Sequence, residues 1–136
     1  MIKLIYGPIG FGKTMIMLDD VNAAAEKAKC NDVFITDKRM CSVAINLNVR
    51  CVYTEEYGIN TVDGFEGFVK GLIAGNHDIE NIFIDGILRI TDANLDQLEK
   101  PFNEIKKICD ENDVALEVTV SATKEQLPKY MLEYIA

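Results

Sequence analysis

The sequence predicts an α/β fold, a three-layer sandwich in which a mainly parallel five-stranded sheet carries helices on both faces. Three observations lead there. Short apolar runs of strand length alternate with longer segments of helical periodicity along the 136 residues. No internal repeat, low-complexity tract or linker interrupts that alternation. The length suits one compact domain, 1–136, able to bury about two thirds of its unfolded surface without a metal or disulfide staple. In such a sheet, ligands bind at the carboxyl ends of the strands.

The elements follow in order. Residues 2–6 are short and apolar enough for a buried strand, and Met17, Leu18, Val21, Ala25 and Ala28 repeat with helical spacing across 13–29. Residues 32–36 read as a second strand and 49–53 as a third. The connection 37–48 is either a functional loop or, over 40–45, a short helix. Asp63, with Glu66 three residues on, is expected to cap a helix whose face is Phe65, Phe68, Val69, Leu72 and Ile73 and which ends at Gly75-Asn76. Gly64, Gly67 and Gly71 lower its intrinsic propensity, so packing must hold it. Residues 81–86 form a buried strand that closes on an acid, Asp85.

Asn94 or Asp92 caps the next helix, with Leu95, Leu98, Phe102, Ile105 and Ile108 as its stripe. Pro101 within that stripe implies a kink or two helices. Residues 114–120 are the last strand, 121–123 a turn, and 127–135 a closing helix with Pro128 near its start.

The formal net charge of −8 argues against a nucleic-acid scaffold, which needs clustered Lys and Arg. Lys27, Lys29, Lys38, Arg39 and Arg50 are scattered among acids. Cys30, Cys41, Cys51 and Cys109 form no C-x-x-C pair, and His77 is the one histidine, so no metal-ligand spacing exists and the thiols are expected to be reduced. No charged-then-apolar leader follows Met1 and no apolar run approaches about twenty residues, which disfavours secretion and membrane spanning. The expected compartment is the cytoplasm.

Gly7-Pro8-Ile9-Gly10-Phe11-Gly12-Lys13-Thr14, followed by Met15, is the full phosphate-binding signature G-x-x-x-x-G-K-T between a strand and a helix. The glycines let consecutive N–H groups point into one concavity, where phosphate oxygens take the place of water. Lys13 then reaches the β and γ phosphates, and Thr14 offers its hydroxyl to Mg²⁺ at the positive end of the helix. A glycine-rich turn beside a lysine also arises without a ligand, but here the strand and helix that the motif requires flank it. Phe11 is either core packing or a contact surface for a partner.

Asp85 supplies the hard oxygen that Mg²⁺ prefers, at a strand's carboxyl end. Many buried strands end in an Asp that only caps a turn. The pairing with residues 7–14 is what gives Asp85 weight.

With these motifs in place the chain resembles a minimal P-loop NTPase of the RecA-like branch, with 7–14 as Walker A and 82–85 as Walker B. The likeness spans the whole domain order. It also resembles a group of short ATP-binding proteins from Gram-positive bacteria, some labelled by analogy as pilus-retraction ATPases. These residues do not support that label, because the large motor ATPases carry further domains, histidine-containing boxes and arginine clusters.

The resemblance implies ATP and Mg²⁺ as ligands, and ATP rests on it alone. No residue pattern identifies the base, and the guanine-specific Asn-Lys-x-Asp sequence is absent.

Hydrolysis makes a further demand, a polar group to orient water and positive charge for the transition state. Many related ATPases place Glu directly after the Walker B Asp, whereas this chain has Gly86. RecA-like proteins carry the catalytic acid after an earlier strand, a role open to Asp37, Glu55 or Glu56, although a solvated turn residue is the simpler account of each. Ser121 is placed to sense the γ-phosphate or simply to form a turn. Arg89 is either an arginine finger, in cis or toward a neighbouring subunit, or a surface residue paired with Asp92.

Three functions remain open. The first is an ATP-binding protein with slow or partner-stimulated ATPase activity, using Lys13, Asp37, Glu56 and Ser121. The second is a small-molecule or nucleotide kinase, although the arginine-rich lid such enzymes close is not seen. The third is a non-catalytic module whose loops respond to nucleotide and alter binding to a protein partner or a second copy.

Overall fold

A computed structural model of the chain describes residues 1–27, 29–39 and 45–135. The short helix considered over 40–45 thus falls largely outside the described residues, as does Ala28 of the first helical stripe.

Five strands, β1 (Ile2–Gly7), β2 (Asp32–Thr36), β3 (Arg50–Tyr53), β4 (Asn81–Ile84) and β5 (Ala115–Ser121), form one sheet in the order β1-β5-β4-β2-β3. Every pairing is parallel. Among the described residues four α-helices lie in the connections: α1 (Lys13–Ala24), α2 (Val62–Gly75), α3 (Ile87–Thr91) and α4 (Glu99–Glu111). None of the described helices is long and apolar enough to cross a membrane.

Period-two alternation splits the strand side chains between two cores. Ile2, Leu4, Val33, Ile35, Ile82 and Ile84 pack with Phe65, Val69 and Ile73 of α2 and with Phe102 and Ile105 of α4. Ile5, Phe34 and Phe83 turn to the other face, against Met17, Leu18 and Val21 of α1. Helices therefore cover both faces. Phe34, Phe65, Met17 and Val21 are fully buried, and each such side chain contributes about 1.5–3 kcal/mol relative to exposure.

Buried polar groups interrupt the α1 side, among them Asp32, which the pleat places on the face of Phe34. Glu117 of β5 is buried there, with Lys3 Nζ 3.6 Å away and Asp20 of α1 bonded to the same lysine at 3.3 Å.

The structure corrects several local expectations. Helix α1 stops at Ala24, five residues early, because its last turn tightens, with Glu26 N–H reaching the Ala23 carbonyl. Thr61, not Asp63, caps α2: its hydroxyl accepts from Gly64 N–H, while Asp63 sits in the first turn. Asn94 rather than Asp92 caps the next element, in a reciprocal pair with Gln97. Of the two outcomes foreseen at Pro101, the chain takes the second. A 3₁₀ turn (Leu95–Leu98) leads into α4, and Pro101 falls in the first turn of α4, where a missing N–H costs little.

The closing segment Lys129–Tyr134 is a 3₁₀ helix, not an α-helix. Its buried residues, Met131 and Tyr134, are three apart, the spacing that eclipses in a three-residue turn. Ile135 then bridges Leu4 of β1 in parallel, so the chain must straighten before it reaches the sheet. The five-residue α3 had no sequence signal, since a single turn shows no period.

Candidate phosphate and metal site

Strand order builds the site. β5 lies between β1 and β4, so Gly7, Ser121 and Asp85 emerge side by side at the carboxyl ends of three neighbouring strands, with Gly7 and Ser121 in direct register. Between β1 and α1 the chain turns tightly, with Phe11 N–H on the Pro8 carbonyl at 3.1 Å. Gly10 and Gly12 both hold φ of +87° with open space around them. Backbone conformation, rather than crowding, is what requires glycine there.

No side chain caps the start of α1, and no acid occupies its first turn. Its leading N–H groups are thus donors for an anion. Phe11 folds back over Gly7, where an added Cβ would lie 2.7 Å from the ring, yet the ring stays 60% exposed. It is a cover for the loop more than a core residue.

Lys13 is buried, and its Nζ donates to the Pro8 carbonyl at 2.9 Å, so the ammonium lies folded across the loop. Burial lowers its pKa, aided by the nearby Arg89 charge and opposed by Asp85. A phosphate would relieve that desolvation.

The Thr14 hydroxyl lies 3.1 and 3.0 Å from the two Asp85 carboxylate oxygens. Thr119 Oγ1 donates to Asp85 at 2.8 Å and in turn accepts from Gly86 N–H at 2.8 Å. Asp85 is 1% exposed. Its negative charge is held by two hydroxyls and, 3.6 Å from Oδ2, by Arg89 Nη2.

Arg89 does not pair with Asp92, the simpler alternative that the sequence left open. Its Nε and Nη2 reach the two Asp37 carboxylate oxygens, each at 3.3 Å. Burial pushes the Asp37 carboxyl up, but the bonds and charge of Arg89 outweigh it and hold the group below the ordinary value.

A cavity of about 750 Å³ opens here, walled by Gly12, Lys13, Thr14, Asp85, Arg89 and Ser121 among others. Ile9, Gly10 and Met15 line it as well, and Ile9 is almost wholly exposed at its rim. Asp37 stands behind Arg89 rather than in the wall. Glu56 is not brought to the cavity: it forms an exposed pair with Arg39, at 2.7 Å, just after β3. Glu55 is exposed on the same turn.

Thr119 escaped sequence reasoning, although it lies two residues before Ser121 on the same face of β5 and period two alone would have paired them. The Arg89–Asp37 contact had no local signal, because 52 residues separate the partners.

A smaller cavity of about 410 Å³ lies between β3 and α2, with Val33, Val52, Phe68 and Leu72 in its wall beside the polar Asp32 and Arg50. It has neither a glycine loop nor a carboxylate–hydroxyl pair. No protein-family model matches the chain, and no curated protein matches it.

Proposed function

We propose that this chain is a Mg²⁺-dependent ATP-binding protein of the P-loop NTPase fold, RecA-like branch, with slow or partner-stimulated ATPase activity. The observation that carries the reading is the hydrogen bond from Thr14 to Asp85, beside the uncapped start of α1 and the inward-folded Lys13.

The donor set fits both ligands. Thr14 donates its hydroxyl hydrogen bond to Asp85, which leaves its lone pairs for a cation, and Asp85 adds a hard carboxylate. Among the described residues no group of three or more His, Cys, Asp or Glu side chains forms a metal cage. Mg²⁺ would thus rest on Thr14 and Asp85 together with phosphate oxygens. Held there, Mg²⁺ would supply neutralisation of phosphate charge and Lewis-acid polarisation.

The chain's own groups do the rest. Loop amides and the first turn of α1 bind the phosphate oxygens, and Lys13 moves its ammonium from the Pro8 carbonyl to the β and γ phosphates. Thr119 fixes the rotamer of Asp85. Ser121, on the neighbouring strand end, is placed to donate to the terminal phosphate. ATP is preferred over other triphosphates on family resemblance.

Titration of the wild type and Lys13→Ala with Mg·ATP tests this reading. At least a tenfold loss of affinity in the variant is expected, and equal affinity rejects the reading.

One observation supports a second reading, a nucleotide-responsive module with no turnover. Asp37 is engaged by Arg89 and Glu56 by Arg39, so neither acid is free to orient water. Phosphate release at background level, despite Lys13-dependent binding, decides for that module.

A further inference from the structure

Among the described residues Arg89 is the one cation besides Lys13 in the cavity wall, and it is held by more than charge. Gly86 follows Asp85 with φ of +83°, and a Cβ built there would fall within the Arg89 guanidinium. The guanidinium therefore fills the space that any other residue at 86 would claim. From that seat it makes a two-pronged bond to Asp37 and reaches Asp85 with the same Nη2 that serves Asp37. Asp37 is itself fixed by a bond from Thr36 Oγ1 at 3.2 Å. The result is a carboxylate, guanidinium, carboxylate bridge from the end of β2 to the end of β4.

We propose that Arg89 is a resident counter-charge for Asp85: it neutralises the carboxylate while no divalent cation is bound, yields it when one arrives with nucleotide, and remains tethered to Asp37 at the phosphate rim. This inference rests on the nucleotide reading above and adds to it a regulation of the same site.

The physical basis is competition for one carboxylate. Asp85 is buried while Arg89 is half exposed, so a divalent cation at the carboxylate would repel the guanidinium and displace it toward solvent and Asp37. Asp37 provides Arg89 with an alternative partner, so release from Asp85 leaves no guanidinium stranded. A two-pronged Arg–carboxylate bond suits this tether because its planar fork fixes direction as well as charge. Asp37 acts here as a positioning residue. Arg89 links cation occupancy to the charge facing the terminal phosphate, which makes the affinities for cation and triphosphate interdependent.

The test measures affinity for a non-hydrolysable ATP analogue with saturating Mg²⁺ and with a chelator, in wild type, Arg89→Ala, Asp37→Asn and Lys13→Ala. The readout is the ratio of the two affinities. Arg89→Ala removes the competitor and also a positive charge that favours bare triphosphate, so the ratio rises, by about tenfold. Asp37→Asn removes the alternative partner, leaves Arg89 on Asp85, and the ratio falls.

A merely structural role would move both variants in the same direction. An unchanged ratio in Arg89→Ala, or shifts of the same sign in the two variants, overturns the proposal while leaving nucleotide binding intact. Binding that is equal in wild type and Lys13→Ala rejects the nucleotide reading itself, and this inference with it.

Discussion

The hydroxyl of Thr14, at the start of α1, donates to Asp85, 71 residues later at the end of β4, and the 3.1 and 3.0 Å distances place it between both carboxylate oxygens. One contact thus joins the candidate phosphate loop to the candidate metal carboxylate. Asp85 accepts the hydroxyl hydrogen bond, so the lone pairs of Thr14 Oγ1 stay open to a ligand.

Thr14→Val keeps the side-chain volume and removes that oxygen. Binding of Mg·ATP is expected to weaken by about tenfold or more, while binding measured with a chelator changes little, since a metal-bridging ligand is lost but the loop amides remain. Calorimetric titration under both conditions reads the difference. Equal losses under both would place Thr14 outside the metal's reach.

Gly86→Ala introduces a left-handed strain and a clash with the Arg89 guanidinium. A destabilisation of about 1–3 kcal/mol is expected from chemical denaturation. In a double-mutant cycle with Arg89→Ala the steric part is relieved and the backbone part persists, so the two substitutions should be non-additive.

Burial raises the Glu117 carboxyl, with Asp20 adding to the rise and Lys3 opposing it, from an ordinary 4.5 to about 7. Its folded-state pKa lies above its unfolded value, so the stability it contributes is complete below 4.5 and is lost as pH climbs through 7. Thermal melts across pH 4 to 9 should show wild type losing stability over that window relative to Glu117→Gln. A parallel pair of curves would contradict the assignment.

Helix α2 offers a direct comparison of two cap candidates. Thr61→Ala removes the acceptor for Gly64 N–H, at an expected cost of about 1 kcal/mol. Asp63→Ala removes no cap and should cost only a few tenths of that scale, from the helix dipole. Urea midpoints of the two variants settle which residue starts the helix.

Residues 7–14 and 82–85 stood out in the sequence as candidates because their residue types and spacing are local patterns, readable without knowledge of the fold. The strands at 2–6, 32–36 and 81–86 did so because burial on both faces demands apolar runs. Relations carried by strand order were not visible. Thr119 joins the site because β5 is inserted between β1 and β4, and Arg89 meets Asp37 because β4 lies beside β2.

Helix ends also escaped. Thr61 and Asp63 both suit a cap, and the choice depends on which backbone N–H is within reach. The 3₁₀ form of Lys129–Tyr134 follows from the parallel bridge at Ile135, a constraint that lies across the sheet in β1.

The most direct test of the central claim is a crystal structure of the protein soaked with Mg²⁺ and a non-hydrolysable ATP analogue. The account predicts β and γ phosphate oxygens on the amides of residues 10–14, Lys13 Nζ moved from the Pro8 carbonyl onto them, and the cation against Thr14 Oγ1. A triphosphate bound elsewhere, with Phe11 and Lys13 still closed over the loop, would contradict it.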